Sequence, residues 1–350
     1  MDLPGSDLRF FSADLPSLAC ALVSADQRTS GRASGAVLDL SGEQWLASVE
    51  DTVADSLHLY AAVPYAMNLW QQLEPRLEGW LELLQLQKLE PLLVPPLPGV
   101  DMLLRCLYLA EALEADHPIT VLLPAPGEAL ALLELARTGP ALLESLLEPL
   151  LAWWDQTRQN LSSLELVLRL KLPSSESLRL DARWRQRLER MADQLAPQAP
   201  WQLSLLLECN DASAQLLQQR FSAISLRGFM PGRVGLHGAG AEAFSVQRPD
   251  WWLAELSVTP MTSLPDASAL DHFLSQVPCT VRVHVPPEGG RLLVPMPGVE
   301  KTQLDVQQIG TEMVLICRGQ RLVIGLPGSL QSQRCSAARL EQGWLELLFS

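Results

Sequence analysis

Apolar residues recur three and four apart through most of positions 36–118, as in "GEQWLASVEDTVADSLHLYAAV" and "YAMNLWQQLEPRLEGWLELLQLQKLEPLL". That spacing predicts helices across the whole stretch. Pro75 and Pro91 fall in or after these runs and are expected to start, kink or stop them. "LPGVDMLLRCLYLAEALEAD" follows with a Pro-Gly turn, a capping candidate in Asp101 and a further helix. The pattern then changes. Val121, Leu122 and Leu123 form a continuous apolar run without alternation, as expected of a strand covered on both faces. A Pro-Ala-Pro-Gly corner at 124–127 ends it, and Leu130, Leu133 and Leu135, interleaved with Glu128 and Glu134, predict a helix packed back on the sheet.

Helices are expected to continue to about 159, followed by a strand at 164–173 ("LELVLRLKLP"), a charged helix over 178–195, a strand at 201–210 and a helix at 211–221. Such alternation predicts a parallel sheet covered by helices. From about 279 the pattern shortens to "TVRVHV", "GRLLVPM", "QLDVQQI", "EMVLICR", "QRLVIGLP" and "WLELLF", separated by Gly, Pro or Glu turns. This is the signature of an antiparallel β-sandwich. The expected fold is therefore α/β, a mostly parallel helix-covered sheet over 1–272 and a small sandwich over 273–350. The stretch 257–278 reads as the linker.

Composition narrows the partners. Across 350 residues, 40 acidic against 26 basic side chains give a net charge of −14. Nucleic acid is disfavoured, because its binding depends on cations that displace phosphate counterions. Charged residues and prolines interrupt every apolar stretch before the ~20 positions a membrane span needs. The start lacks a basic segment followed by an apolar one, which reads as cytoplasmic. Six cysteines without a CxxC pair read as reduced thiols. The five histidines lack metal-ligand spacing, so no metal is expected. "GLHGAGAE" at 235–242 reads as a loop and Arg233, in "MPGRVG", as a turn residue. Trp153, Trp154, Trp251 and Trp252 read as core or interface.

Two motifs in order then resemble a known family, the ArsA/Get-type P-loop ATPases. "LPGVDMLL" at 97–104 is similar to a helix start of that family, and "LLPAPGEALALLEL" from 122 resembles its second switch. "LVSADQRTS" at 22–30 is a weaker echo of the first switch, with Asp26 as its carboxylate. "VPMPGVEKTQLDVQQIGTEMVLIC", "VIGLPGSL" and "AARLEQGWLELLF" resemble an α-crystallin, or small-heat-shock, domain, as carried by one branch of the family.

The resemblance implies ATP hydrolysis, but the means are missing. A P-loop needs a Gly-rich turn, a Lys on the phosphates and a Ser/Thr for Mg²⁺. No such run occurs in this sequence. At the second-switch carboxylate stands Pro124, with Gly127 in the turn, and the chain reads as lacking the strand that precedes a P-loop. The expectation is a pseudoenzyme without cofactor, catalytic residue or metal, because phosphoryl transfer rests on positioned charge. In the targeting member of the family, helices in this region form a groove for an apolar client. The stripe Trp70, Leu73, Leu77, Trp80, Leu81, Leu84 is a candidate for such a face, for a dimer face, or for packing on its own domain. Expected partners are protein clients, an intact paralogous ATPase or a second copy. The alternative is a working ATPase whose P-loop a truncated gene model has removed.

Overall fold

The computed structural model describes residues 8–30, 35–48, 56–85, 99–115, 117–168, 172–197, 199–210, 214–261 and 265–350. Seven parallel strands form one sheet: β1 (Leu8–Ala13), β2 (Ala36–Asp39), β3 (Ser56–Leu59), β4 (Ile119–Leu122), β5 (Gln202–Glu208), β6 (Arg233–His237) and β7 (Val258–Met261), in the order β3-β2-β4-β1-β5-β6-β7. The helices are α1 (Pro16–Ser30), α2 (Ala62–Leu83), α3 (Val100–Ala112), α4 (Pro126–Leu168), α5 (Ala182–Gln194), α6 (Ala214–Leu226), α7 (Ala241–Val246) and α8 (Ala267–Ser275).

The sheet is covered on both faces, which explains its unalternated apolar strands. Successive residues feed opposite cores. Phe10, Val121 and Leu205 join α3, α4, α5 and α6 on one side, while Phe11, Leu122 and Leu206 join α1 and α8 on the other.

Two three-stranded antiparallel sheets follow: β8 (Arg291–Pro295) with β12 (Cys335–Glu341) and β13 (Trp344–Phe349), and β9 (Leu304–Ile309) with β10 (Glu312–Cys317) and β11 (Gln320–Gly325). They enclose their own core of Leu292, Val294, Met313, Leu315, Leu345 and Leu347. This is the predicted sandwich, except that "TVRVHV" contributes only a single bridge, His284 to Leu293. The sandwich is docked on the first sheet's helices. Leu226 of α6 sits in the sandwich core, the Ser225 hydroxyl donates to the Pro297 carbonyl at 2.9 Å, and the Gly298 amide donates to the Trp251 carbonyl.

Several expectations are corrected. Among the described residues the helical reading of 36–118 holds for α2 and α3, and β2 and β3 interrupt it, because short strands also place apolar residues at helical spacings. Residues 164–168 of the expected strand are the end of α4, which runs to Leu168 through Pro140 and Pro149, and 169–171 lie outside the described residues. The missing first strand is present: β1 lies between β4 and β5 in the middle of the sheet. The linker at 257–278 contains β7 and α8, and the expected division at 272/273 falls within α8. Pro91, Leu97 and Pro98 lie outside the described residues.

Candidate functional site

The carboxyl ends of parallel strands are where α/β sheets bind ligands. After β1 the chain turns within two residues, Asp14 and Leu15, and enters α1 at Pro16, a position where a missing N–H costs nothing. No Gly-rich loop intervenes. The Asp14 carboxylate accepts hydrogen bonds from the Glu208 amide and from Arg220 Nη1, each at 2.7 Å. An acidic side chain thus stands beside the start of α1, where a phosphate would otherwise find a favourable dipole.

Pro124 closes β4 as the sequence predicts. Its carbonyl accepts from the buried Ser12 hydroxyl at 2.6 Å, which ties the corner to β1, and Gly127 lies exposed in the first turn of α4. Neither offers a charge. Asp26 is not on a switch or a solvated turn. It lies inside α1, 3% exposed, at the opposite end of the sheet, and accepts from Arg9 and, at 3.1 Å, from the Thr120 hydroxyl. The helix places it there because β1 and α1 run antiparallel, which brings residues 9 and 26 together.

The carboxylate at a strand end that the sequence reading missed is Asp39, closing β2. It is fully buried and accepts from the amides of Ser41 (2.9 Å) and Leu46 (2.8 Å), shaping the loop that follows. "VLDLSG" carried that signal. Arg105 of α3 locks the same loop. It donates to the Leu40 carbonyl, pairs with Asp101 at 2.6 Å and Glu128 at 2.9 Å, and packs where any side chain at Gly42 would stand. The loop after β2 and the start of α4 are thus tied to one another through the largely buried Arg105 guanidinium.

The "GLHGAGAE" and "MPGRVG" readings are corrected together. Arg233 begins β6 and donates to the Gln276 carbonyl and the Gln202 side chain, and Gly238 to Gly240 turn the chain from β6 into α7. Among the described residues no group of His, Cys, Asp and Glu has the geometry to hold a metal ion.

The tryptophan stripe is split. Trp80 donates its indole N–H to the Ser177 hydroxyl at 2.9 Å and its ring contacts Trp154 at 4.7 Å, so this part of α2 packs on α4. Trp70, Leu77 and Leu81 are half-buried, whereas Leu73 and Leu84 are exposed. A larger apolar face belongs to α4. Leu142, Leu146, Leu150 and Trp153, at helical spacing, are 56%, 70%, 57% and 59% exposed. Trp251 and Trp252 form an aromatic cluster with Phe221 and Phe244. No helix among the described residues is long and apolar enough to cross a membrane.

These features define a helix-covered parallel α/β domain with a docked β-sandwich; among the described residues, the corners after β1 and β4 carry no Gly-rich loop. Residues 288–349 match the family described as the HSP20-like domain found in ArsA, so the sandwich is similar to that domain. The chain is also 26% identical, over 317 aligned residues covering 79% of this chain and 77% of the relative, to "Uncharacterized protein SCO2128" of Streptomyces coelicolor.

Proposed function

We propose that this chain is a non-catalytic relative of the ArsA/Get-type ATPases that binds apolar segments of protein clients. The observation that carries the reading is the row of leucines and Trp153 on α4. Contiguous exposed apolar area on a soluble surface marks an interaction site, and a helix face of this kind suits an apolar helix laid alongside it. Leu73 and Leu84 on α2 are candidate extensions. The HSP20-like domain and the parallel sheet support the family relationship. The two-residue corner after β1, Pro124 and the acidic Asp14 support the loss of phosphoryl transfer. They also weigh against the alternative of an ATPase with its P-loop upstream, since β1 already fills the centre of the sheet.

The test is titration of a fluorescent 20-residue apolar helix with the full-length protein. Saturable binding is expected, weakened tenfold or more by Leu146→Asp with Leu150→Asp, since burying a carboxylate in an apolar contact is strongly unfavourable. Binding that survives the double variant would refute this face, and magnesium-dependent ATP hydrolysis by the pure protein would refute the non-catalytic reading.

A further inference from the structure

At the carboxyl ends of β1, β5 and β6 lies a crevice of about 390 Å³, lined by Asp14, Leu15, Glu208, Arg220, His237 and Gly238. It is separate from the apolar face of α4. Arg220 is engaged by Asp14 at 2.7 Å, and the Glu208 carboxylate, exposed at the rim, accepts only a 3.2 Å bond from the Asn210 amide. His237 closes β6 and is 4% exposed, yet its Nε2 has no hydrogen-bond partner among the described residues. Buried polar atoms in native proteins are nearly always paired, so an orphan on a residue that lines a crevice at this end of a parallel sheet points to a place for a ligand.

Charge decides the chemistry of that ligand. Two carboxylates against one guanidinium leave one negative charge in the crevice, on a protein of net charge −14. Burial pulls the His237 pKa below its ordinary value despite Asp14 and Glu208 nearby, so the ring is neutral at pH 7 and Nε2 can accept. Beside the remaining N–H groups of Arg220, the crevice offers a ligand three acceptors: the second oxygen of Asp14, the carboxylate of Glu208, and Nε2 of His237. A primary ammonium carries three donors and no acceptor, matching them one to one.

We propose that this crevice is a binding site for a primary ammonium group, with Asp14, Glu208 and His237 as its three acceptors. The net negative charge of the crevice disfavours phosphates and carboxylates. Gly238 supports the geometry: at φ +107°, with space for a Cβ blocked 2.7 Å from the Cys209 carbonyl, it holds the turn that follows the imidazole. The proposal is independent of client binding on α4, and either can fail alone.

The experiment is titration of full-length protein with n-propylammonium, followed by calorimetry and by the imidazole ¹⁵N–¹H signals of His237. Saturable binding that moves those signals is expected. Glu208→Gln, at an exposed position, should weaken it about tenfold, the value of one charge-assisted bond, with thermal unfolding unchanged. His237→Gln should also weaken it. Tetramethylammonium, with the charge but no donors, should not compete. No saturable binding, equal binding of tetramethylammonium, or preferential binding of inorganic phosphate or propionate would each overturn the proposal.

Discussion

Gly298 sits where the HSP20-like domain meets α6, and a single methyl there tests whether the two parts form one body. Its φ is +80°, and an added Cβ would lie 2.5 Å from the Ser222 amide nitrogen and 2.8 Å from Phe221 Cβ. These are backbone and near-backbone atoms of a buried helix and cannot swing aside. The left-handed conformation costs a non-glycine residue about 1–2 kcal/mol, and forcing a methyl into packed surroundings adds about 1–3 kcal/mol. Gly298→Ala is therefore expected to destabilise by about 2–5 kcal/mol, from the sum of those two terms. Gly310→Ala separates them, because Gly310 also has positive φ (+59°) but nothing within 4 Å of its added Cβ. It should lose only the about 1–2 kcal/mol of conformational cost. Gly328, with neither a positive φ nor a neighbour within 4 Å, serves as the baseline. Urea unfolding followed by tryptophan fluorescence suits the measurement, since Trp251 and Trp252 lie at the docking site and Trp344 in the sandwich. If Gly298→Ala loses no more than Gly310→Ala, the close approach of the two parts is refuted.

Asp39→Ala should cost about 3 kcal/mol, because it strands two amides that now bond to a buried carboxylate; equilibrium unfolding checks this, and a loss under about 1 kcal/mol, the worth of an ordinary hydrogen bond, would show that the loop is held by other contacts. Acid should destabilise the protein in two windows. His237 is held below its ordinary pKa by burial, so below about pH 6.5 the unfolded chain takes up a proton that the folded chain resists, and stability falls. His237→Gln should flatten that part of a melting-temperature profile taken from pH 8 to 5. Glu114 is lowered from 4.5 to about 2 by its hydrogen bond with Arg187, so its contribution is present above 4.5 and is lost as the pH falls toward 2. Arg187→Met should shrink the second effect, leaving the smaller share held by Arg183, and leave the first unchanged.

The sequence by itself determined the class of fold and the character of each half. Val121 to Leu123 and the Pro124–Gly127 corner are legible because an unalternated apolar run ended by prolines has few other outcomes. The strands of the sandwich are legible because their alternation is local. That no Gly-rich, Lys-bearing run occurs in the given residues is also a property of the sequence. Only the tertiary structure decided that Ala36–Asp39 and Ser56–Leu59 are strands, because four residues carry no period of their own until neighbouring strands supply their hydrogen bonds. It moved Asp26 from a supposed switch to a buried pair with Arg9, and it made Asp39 the strand-end carboxylate in its place. It likewise divided the tryptophan stripe: Trp80 is committed to Trp154, while the exposed row lies on α4, which the sequence presents as equally apolar on several sides. The crevice of Asp14, Glu208 and His237 was beyond reach for the same reason. Its residues are far apart in the chain, and only the register of β1, β5 and β6 brings them to one edge.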